Sequence, residues 1–94
     1  MTVLSVDEIR AGVAGLGSWD LVDGAIVAEF GFDDFRQAVA FVVRVSFEAE
    51  QANHHPDIDV RYNRVRLALS THSAGGVTDK DLALAAVIQG LTDH

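Results

Sequence analysis

The sequence predicts an α+β fold, in which three helices cover one face of a four-stranded antiparallel sheet in the order α-β-β-α-β-β-α. Two capping boxes, each a hydroxyl residue followed three positions later by an acid, indicate helix starts at Ser5 and Thr78. The dipeptide Asp23-Gly24 is the strongest short signal for a hairpin turn. Between these signals, a long stretch beginning at Phe35 carries apolar residues at helical spacing.

A short helix and a hairpin make up the N-terminal third of the predicted fold. The first capping box opens a helix over residues 5–15, and Gly15 and Gly17 end it. Strands are predicted at 19–22 and 25–32, on either side of the turn. The second of these strands alternates, with apolar residues on one face at Ile26, Ala28, Phe30 and Phe32.

A long helix is predicted after the hairpin. Asp33 and Asp34 favour a helix start, because negative charge suits the positive N-terminal end of a helix. The β-branched run 42–45 would also suit a strand, but the apolar period and a length of about 18–20 residues favour a helix. Pro56 prevents its continuation, since the residue before a proline avoids the helical region. A broad buried stripe is expected at Phe35, Val39, Val42, Val43, Ser46, Phe47 and Ala49.

The C-terminal part is predicted to form a second pair of strands and a last helix. Strands at 60–62 and 65–70 are joined by a turn at Asn63-Arg64, and Thr71-His72 ends the second strand. A glycine-containing loop then leads to the second capping box, which opens the last helix.

Composition indicates a small soluble protein. A chain of 94 residues, 49% of them hydrophobic, is expected to form one domain over residues 1–94 and not a disordered tail. Its core is modest, so self-association is expected to cover exposed sheet edges or helix faces. No apolar run reaches the roughly 18 residues that a membrane span needs, the first residues carry no basic leader region, and cysteine is absent. These features predict a cytoplasmic protein without a membrane partner.

The charge balance bears on possible ligands. Seven basic and fourteen acidic residues give a net charge of −7, which argues against a nucleic-acid partner. Arg61, Arg64 and Arg66 nevertheless cluster around Tyr62. The cluster is either the solvated face of a strand or a positive rim that attracts a polar or anionic ligand, and both interpretations stay open.

The chemically richest segment is the string Glu50-Gln-Ala-Asn-His54-His55-Pro56. His72 follows, so three of the four histidines lie between positions 54 and 72, and the fourth, His94, is the last residue. Imidazoles exchange protons near neutral pH, and this group is flanked by acids at Glu50, Asp57, Asp59, Asp79 and Asp81. The segment therefore indicates acid–base chemistry.

The geometry expected of this segment places Glu50 opposite His54. The two are four residues apart at the end of the predicted helix, so the carboxylate is expected to hold that imidazole. His55 is expected to point elsewhere, and His72 to enter the same pocket from a strand end. Two alternatives remain, namely surface-loop histidines and a zinc site of three histidines with a carboxylate, although the helical His-x-x-x-His spacing is absent.

These residues fall into a recognisable spaced pattern. It consists of Glu50-x-x-x-His54-His55-Pro56 followed by Tyr62, His72 and Asp81, with the further blocks Gly17-Ser-Trp19, Phe30-Gly-Phe32-Asp-Asp-Phe35, Ser70-Thr71-His72 and Gly76-x-Thr78-x-x-Asp81. The pattern resembles the signature of the pterin-4a-carbinolamine dehydratases and covers residues 4–92.

The resemblance implies a fold, an activity and site residues. It implies three helices packed on a four-stranded antiparallel sheet, in a homodimer or homotetramer. The implied reaction is loss of water from 4a-hydroxytetrahydrobiopterin to give quinonoid dihydropterin, without metal or cofactor, in recycling the pterin of aromatic amino-acid hydroxylases. By position it implies catalytic residues at His54, His55, His72 and Glu50, and substrate-binding residues at Trp19, Tyr62 and Asp81.

The chain departs from the animal pattern at two places. Asn53 stands where animal members often carry aspartate, and residues 57–59 replace an aromatic pair after the proline. These departures leave the preferred pterin side chain open. A non-catalytic pterin-binding or partner-binding regulatory protein with the same pocket is the alternative function, because catalytic and binding pockets share residues.

Overall fold

The structure is a computed structural model that describes residues 2–92, so His94 lies outside the described residues. It contains helix α1 (Val6–Val13), strands β1 (Asp20–Val22) and β2 (Ala25–Gly31), helix α2 (Phe35–Ala52), strands β3 (Asp57–Arg61) and β4 (Arg64–Leu69), a short 3-10 helix (His72–Ala74) and helix α3 (Asp79–Gly90). This order confirms the predicted α+β fold. Within residues 2–92, no helix combines the length and apolar character that a membrane crossing requires.

The sheet has the strand order β1-β2-β4-β3, and all three neighbouring pairs are antiparallel. Its two faces differ sharply. The face toward the helices is buried along β2 and β4, at Ile26, Ala28, Phe30, Val65, Leu67 and Leu69. The opposite face exposes Glu29, Arg64 and Arg66. The helices contribute Ile9 and Val13 from α1, Phe41 and Val45 from α2, and Leu84 and Ile88 from α3 to the same core.

The β3–β4 hairpin differs from the prediction by a few residues. Strand β3 begins at Asp57, directly after Pro56, whereas the sequence placed its start at Val60. The turn comprises Tyr62 and Asn63, because Arg61 pairs with Arg64 across the ladder. Asn63 is tied to the end of β2, since its Nδ2 donates to the Phe32 carbonyl at 2.8 Å. Tyr62, the first residue of this two-residue turn, takes the left-handed conformation, with φ of 51°.

Helix α2 carries two apolar stripes and not the single stripe that was predicted. The residues buried on the sheet are Ala38, Phe41, Val45 and Ala49. Four residues of the predicted stripe lie on another side of the helix and are exposed by 37% to 71%, namely Phe35, Val39, Val43 and Phe47. One sheet can cover only one side of a helix, so this second stripe has no cover within residues 2–92.

Candidate functional site

The three histidines of the sequence pattern meet in one open cleft of about 310 Å³. Asn53, His54, His55, Ser70, Thr71, His72, Ser73 and Lys80 line it. The register of the sheet explains why they meet. Asp57 at the start of β3 pairs with Ala68 near the end of β4. The residues just before β3 must therefore lie beside the residues just after β4.

The end of α2 sets the directions of the two adjacent histidines. Asn53 caps the helix in the left-handed conformation, with φ of 50° and ψ of 45°, which asparagine tolerates better than most residues. The backbone N–H groups of Asn53 and His54 close this turn by donating to the carbonyls of Glu50 at 3.1 Å and Ala49 at 3.0 Å. His54 and His55 consequently leave the helix toward different partners.

His54 turns inward to Asp81 of α3. Its Nε2 makes a short contact with Asp81 Oδ1, and the His54 side chain is only 11% exposed while that of Asp81 is completely buried. The expectation that His54 faces Glu50 is therefore wrong. The left-handed turn at Asn53 carries His54 off the face of α2 on which Glu50 lies, so the i, i+4 geometry of a continuous helix does not apply.

Glu50 pairs instead with His55. Glu50 Oε1 and His55 Nε2 are 2.6 Å apart, and both side chains are largely exposed, at 79% and 58%. Exposed pairs of this kind add little to stability. His55 lines the cleft, so this exposed pair forms part of the cleft's solvent-accessible rim.

The buried carboxylate of Asp81 is surrounded by hydrogen-bond donors. Its Oδ2 accepts from the hydroxyl of Thr71 at 2.8 Å and from the backbone N–H of Thr78 at 2.9 Å. The hydroxyls of Thr71 and Thr78 are themselves 2.8 Å apart. Both threonines are buried. Asp81 thus belongs to the cap of α3 and to the histidine site at the same time.

His72 lies on the short 3-10 helix and presents an exposed imidazole to the cleft. Gly75, with φ of 83°, ends that helix, and the Thr71 N–H closes the loop by donating to the Gly76 carbonyl at 2.9 Å. Among residues 2–92, the imidazole of His72 has no hydrogen-bond or ion-pair partner, so both of its ring nitrogens are available to a ligand.

The remaining two predicted site residues lie away from the cleft. Trp19 is 4% exposed and packs edge-on against Phe30 in the core, with ring centroids 6.1 Å apart. Tyr62 is 66% exposed at the turn between β3 and β4. A five-residue strand separates that turn from the histidines, which corresponds to about 16 Å. The structure does not bring Trp19 or Tyr62 to the histidines.

Lys80 is a site residue that sequence reasoning did not identify. It lines the histidine cleft and also an adjoining cavity of about 360 Å³ between α2 and α3, which shares His54 with the cleft. Its position next to Asp81 in the α3 capping box was the available signal. Ser70, Thr71 and Ser73 also line the cleft, and they stand on both sides of His72 in the sequence.

Other surface features of the described residues carry less chemistry. A cavity of about 490 Å³ between the end of β2 and α2 is larger than the histidine cleft, yet no histidine lines it. On the open face of the sheet, Arg64 pairs with Glu29, and Arg61 Nε lies 3.1 Å from Asp59 Oδ1. This pairing favours the solvated-face interpretation of the arginine cluster. No group of three or more His, Asp or Glu side chains within residues 2–92 is arranged to hold a metal ion.

Comparisons with known proteins identify the family of the chain. A sequence model of the family described as pterin 4 alpha carbinolamine dehydratase matches residues 2–91. A protein of Chloroflexus aurantiacus, provisionally named as such a dehydratase, is 56% identical over 88 residues, which cover 94% of this chain and 95% of that protein. A provisionally named dehydratase of Gloeobacter violaceus is 52% identical over 92 residues, covering 94% of this chain and 100% of its own.

Two solved structures share the fold. The crystal structure of a transcriptional coactivator/pterin dehydratase from Brucella melitensis superimposes with a TM-score of 0.91 at 35% identity, covering 96% of this chain and 98% of that one. A pterin dehydratase-like protein identified as a RuBisCO assembly factor in the alpha-carboxysome has a TM-score of 0.67 at 23% identity, covering 81% of this chain and 90% of its own. The second likeness concerns the fold alone.

Proposed function

Because the chain belongs to the pterin-4a-carbinolamine dehydratase family, we propose that it removes water from 4a-hydroxytetrahydrobiopterin to give quinonoid dihydropterin. The observation that carries this proposal is the convergence of His54, His55 and His72 on one open cleft. The reaction breaks the bond between C4a and its hydroxyl. It needs a proton delivered to that hydroxyl and a proton removed from a ring nitrogen, while a carbon–nitrogen double bond forms.

The residues of the cleft suit these two proton transfers. His54 and His72 approach the cleft from different elements, so they can act on different atoms of one substrate. Each general acid or base typically contributes about 10²–10⁴-fold. His55 and its partner Glu50 form the exposed rim, where a carboxylate can also bind the amidine-like edge of a pterin through paired hydrogen bonds. Trp19 and Tyr62 enter the proposal as substrate-binding residues through the family resemblance only.

The proposal includes a cytoplasmic homodimer or homotetramer that binds neither nucleic acid nor membrane. The second apolar stripe of α2, which runs from Phe35 to Phe47, supports self-association because a monomer leaves it in water. The net charge of −7 disfavours nucleic acid. Light scattering at micromolar concentration is expected to give a multiple of the 10.1 kDa chain mass, and a monomer would contradict this part of the proposal.

A non-catalytic regulatory role is the alternative function. The names of the two solved relatives mention a transcriptional coactivator and an assembly factor, and those roles belong to those proteins. In this chain, an inward-facing His54 on a buried carboxylate and an unpartnered His72 favour catalysis over simple partner binding. Partner binding alone would not require either arrangement.

The test is dehydration of freshly generated 4a-hydroxytetrahydrobiopterin, followed by pterin ultraviolet absorbance, with and without prior exhaustive chelation. The rate is expected to rise in proportion to the concentration of wild-type protein and to survive chelation. A rate that does not depend on the protein would contradict the activity. Loss of the rate with EDTA and its restoration by zinc would contradict the metal-free mechanism.

A further inference from the structure

The buried carboxylate of Asp81 is placed behind His54 and not in front of a substrate. Among residues 2–92, it is the only acidic side chain in the buried class, with no exposed surface. A ligand in the cleft therefore meets His54 and Thr71, which line it, before it can meet Asp81. Any effect of Asp81 on the reaction must pass through the groups that it touches.

With Asp81 ionised, the hydrogen bonds around it determine where the proton of His54 lies. An ionised carboxylate only accepts hydrogen bonds. Its Oδ2 is occupied by the Thr71 hydroxyl and the Thr78 N–H, so its Oδ1 faces His54 Nε2 as an acceptor. His54 Nε2 must then carry a proton. The other ring nitrogen, Nδ1, is left to exchange a proton outside this contact.

The two buried threonines form a hydrogen-bonded series that leads to the carboxylate. The Thr71 hydroxyl proton is committed to Asp81, so in the 2.8 Å contact between the two hydroxyls Thr78 is the donor. The Thr78 oxygen accepts in turn from the Lys80 N–H at 3.3 Å. The Lys80 N–H, the Thr78 hydroxyl and the Thr71 hydroxyl thus donate in series, and the series ends at Asp81 Oδ2.

We propose that Asp81 is a positioning residue that acts through His54. It fixes the ring orientation and the tautomer with the proton on Nε2, so that Nδ1 is the atom that exchanges a proton with the pterin. This inference rests on the proposed dehydratase function. It differs from the substrate-binding role that the sequence pattern implies for Asp81. Replacing the orienting carboxylate of a Ser-His-Asp triad by its amide, which leaves the wrong tautomer, costs about 10⁴-fold in kcat.

The proposal predicts that the substitution Asp81→Asn changes the tautomer of His54. The Thr71 hydroxyl and the Thr78 N–H both require an oxygen, so the amide oxygen is expected to take the place of Oδ2. The amide NH₂ then faces His54 Nε2, which must become an acceptor. The proton is expected to move to Nδ1. Long-range ¹H–¹⁵N correlation NMR of ¹⁵N-labelled protein distinguishes the two tautomers.

The experiment compares wild type with Asp81→Asn and with Asp79→Asn as the matched control. Asp79 lies in the same first turn of α3 but is exposed. Wild type and Asp79→Asn are expected to show the Nε2–H tautomer and equal kcat. Asp81→Asn is expected to show the Nδ1–H tautomer and to lose at least about 10-fold in kcat with little change in KM. A raised KM with unchanged kcat would instead mean direct substrate binding and overturn the proposal.

Thr71 provides a second route if Asp81→Asn fails to fold. Thr71→Val removes a donor to Asp81 and is expected to lower kcat, whereas Thr71→Ser keeps the hydroxyl and is expected to lower kcat by less. Equal kcat in both variants, or an Nδ1–H tautomer in wild type, would overturn the proposal. The measurement of the wild-type tautomer needs no substrate, so it does not depend on the proposed reaction. An Nε2–H tautomer in a protein that does not dehydrate pterins would therefore support the positioning and refute the reaction.

Discussion

Helices α1 and α3 begin with the same capping device but in different surroundings. At α1, Ser5 Oγ accepts from the Glu8 N–H at 3.1 Å and Glu8 Oε1 accepts from the Ser5 N–H at 2.8 Å, and both residues are exposed. At α3, Thr78 and Asp81 form the corresponding box with no exposed surface. Asp81 also accepts from Thr71 and contacts His54.

The difference shows how a local motif acquires a second role. Each box satisfies backbone donors that a helix start would otherwise leave unpaired. Only the α3 box lies where the register of β3 and β4 brings a histidine-bearing loop against it. The same four-residue signal in the sequence therefore stands for a simple cap in one helix and for a cap joined to the candidate site in the other.

The largest expected effects come from the histidines that the α3 cap adjoins. His54→Ala and His72→Ala are each expected to lose about 10²-fold or more of the enzymatic acceleration, because each removes a proton-transfer group. If one serves as acid and the other as base in a single elimination, the double variant is expected to fall well short of the product of the two losses. Measuring kcat/KM for wild type, the two single variants and the double variant tests whether the losses combine in this way.

Circular dichroism is the control for folding of these variants. His54 is largely buried, so His54→Ala needs this control more than His72→Ala does. Strictly multiplicative losses in kcat/KM would show independent roles, and the acid–base pairing of the two histidines would then be wrong.

A smaller effect is expected for Glu50, which is exposed like Glu8 but pairs with His55, a residue of the cleft lining. Glu50→Gln removes the charge beside His55 and leaves His54 and Asp81 in place. Activity is expected to fall by less than in His54→Ala, because a supporting carboxylate tunes a histidine and does not move the proton. A loss in Glu50→Gln as large as that in His54→Ala, with folding intact, would make the carboxylate itself the proton carrier.

The smallest effect is expected at the α1 cap. The backbone N–H of Ser5 and then its side chain hold the pKa of Glu8 below its ordinary value of 4.5. A carboxyl with a lowered pKa in the folded state stabilises that state above the unfolded pKa, and the contribution is lost as the pH falls through the folded pKa. The difference in unfolding free energy between wild type and Glu8→Gln is therefore expected to shrink below pH 4.5.

Denaturant unfolding over a range of pH checks this expectation, and the dehydration rate of Glu8→Gln is the control. Glutamine can still accept the Ser5 hydrogen bond in a capping box, so only the charge is removed and activity is expected to be unchanged. A pH-independent difference in unfolding free energy, or a loss of activity, would contradict the interpretation of this box as a simple cap.

Most of the fold could be predicted because its signals are local. The capping boxes, the Asp23-Gly24 turn, where both residues have positive φ, and the stop at Pro56 each depend on a few neighbouring residues. The buried side of α2 could not be predicted, because both of its stripes are apolar. Only the position of the sheet decides that Phe41 and Val45 are covered while Phe47 is exposed.

The candidate site could be predicted only in part, for the same reason. His54 and His72 were expected to share one pocket, and the structure places both in one cleft together with His55, which was expected to point elsewhere. The predicted partner of His54, Glu50, was wrong, because Asn53 adopts a left-handed conformation that ends the i, i+4 geometry of the helix. Asp81 comes from an element 27 residues away along the chain, and no local rule links it to His54.

The most direct test of this account is to map where a pterin binds. Backbone ¹H–¹⁵N spectra of the wild-type protein would be recorded during titration with 7,8-dihydropterin, a stable relative of the reaction product. Shift changes are expected at Asn53–His55, Ser70–Ser73 and the α3 cap at Thr78–Asp81, and not at the α1 cap at Ser5–Glu8. Changes centred on the larger cavity between β2 and α2, or on the arginine-rich face of the sheet, would contradict the assignment of the histidine cleft as the active site.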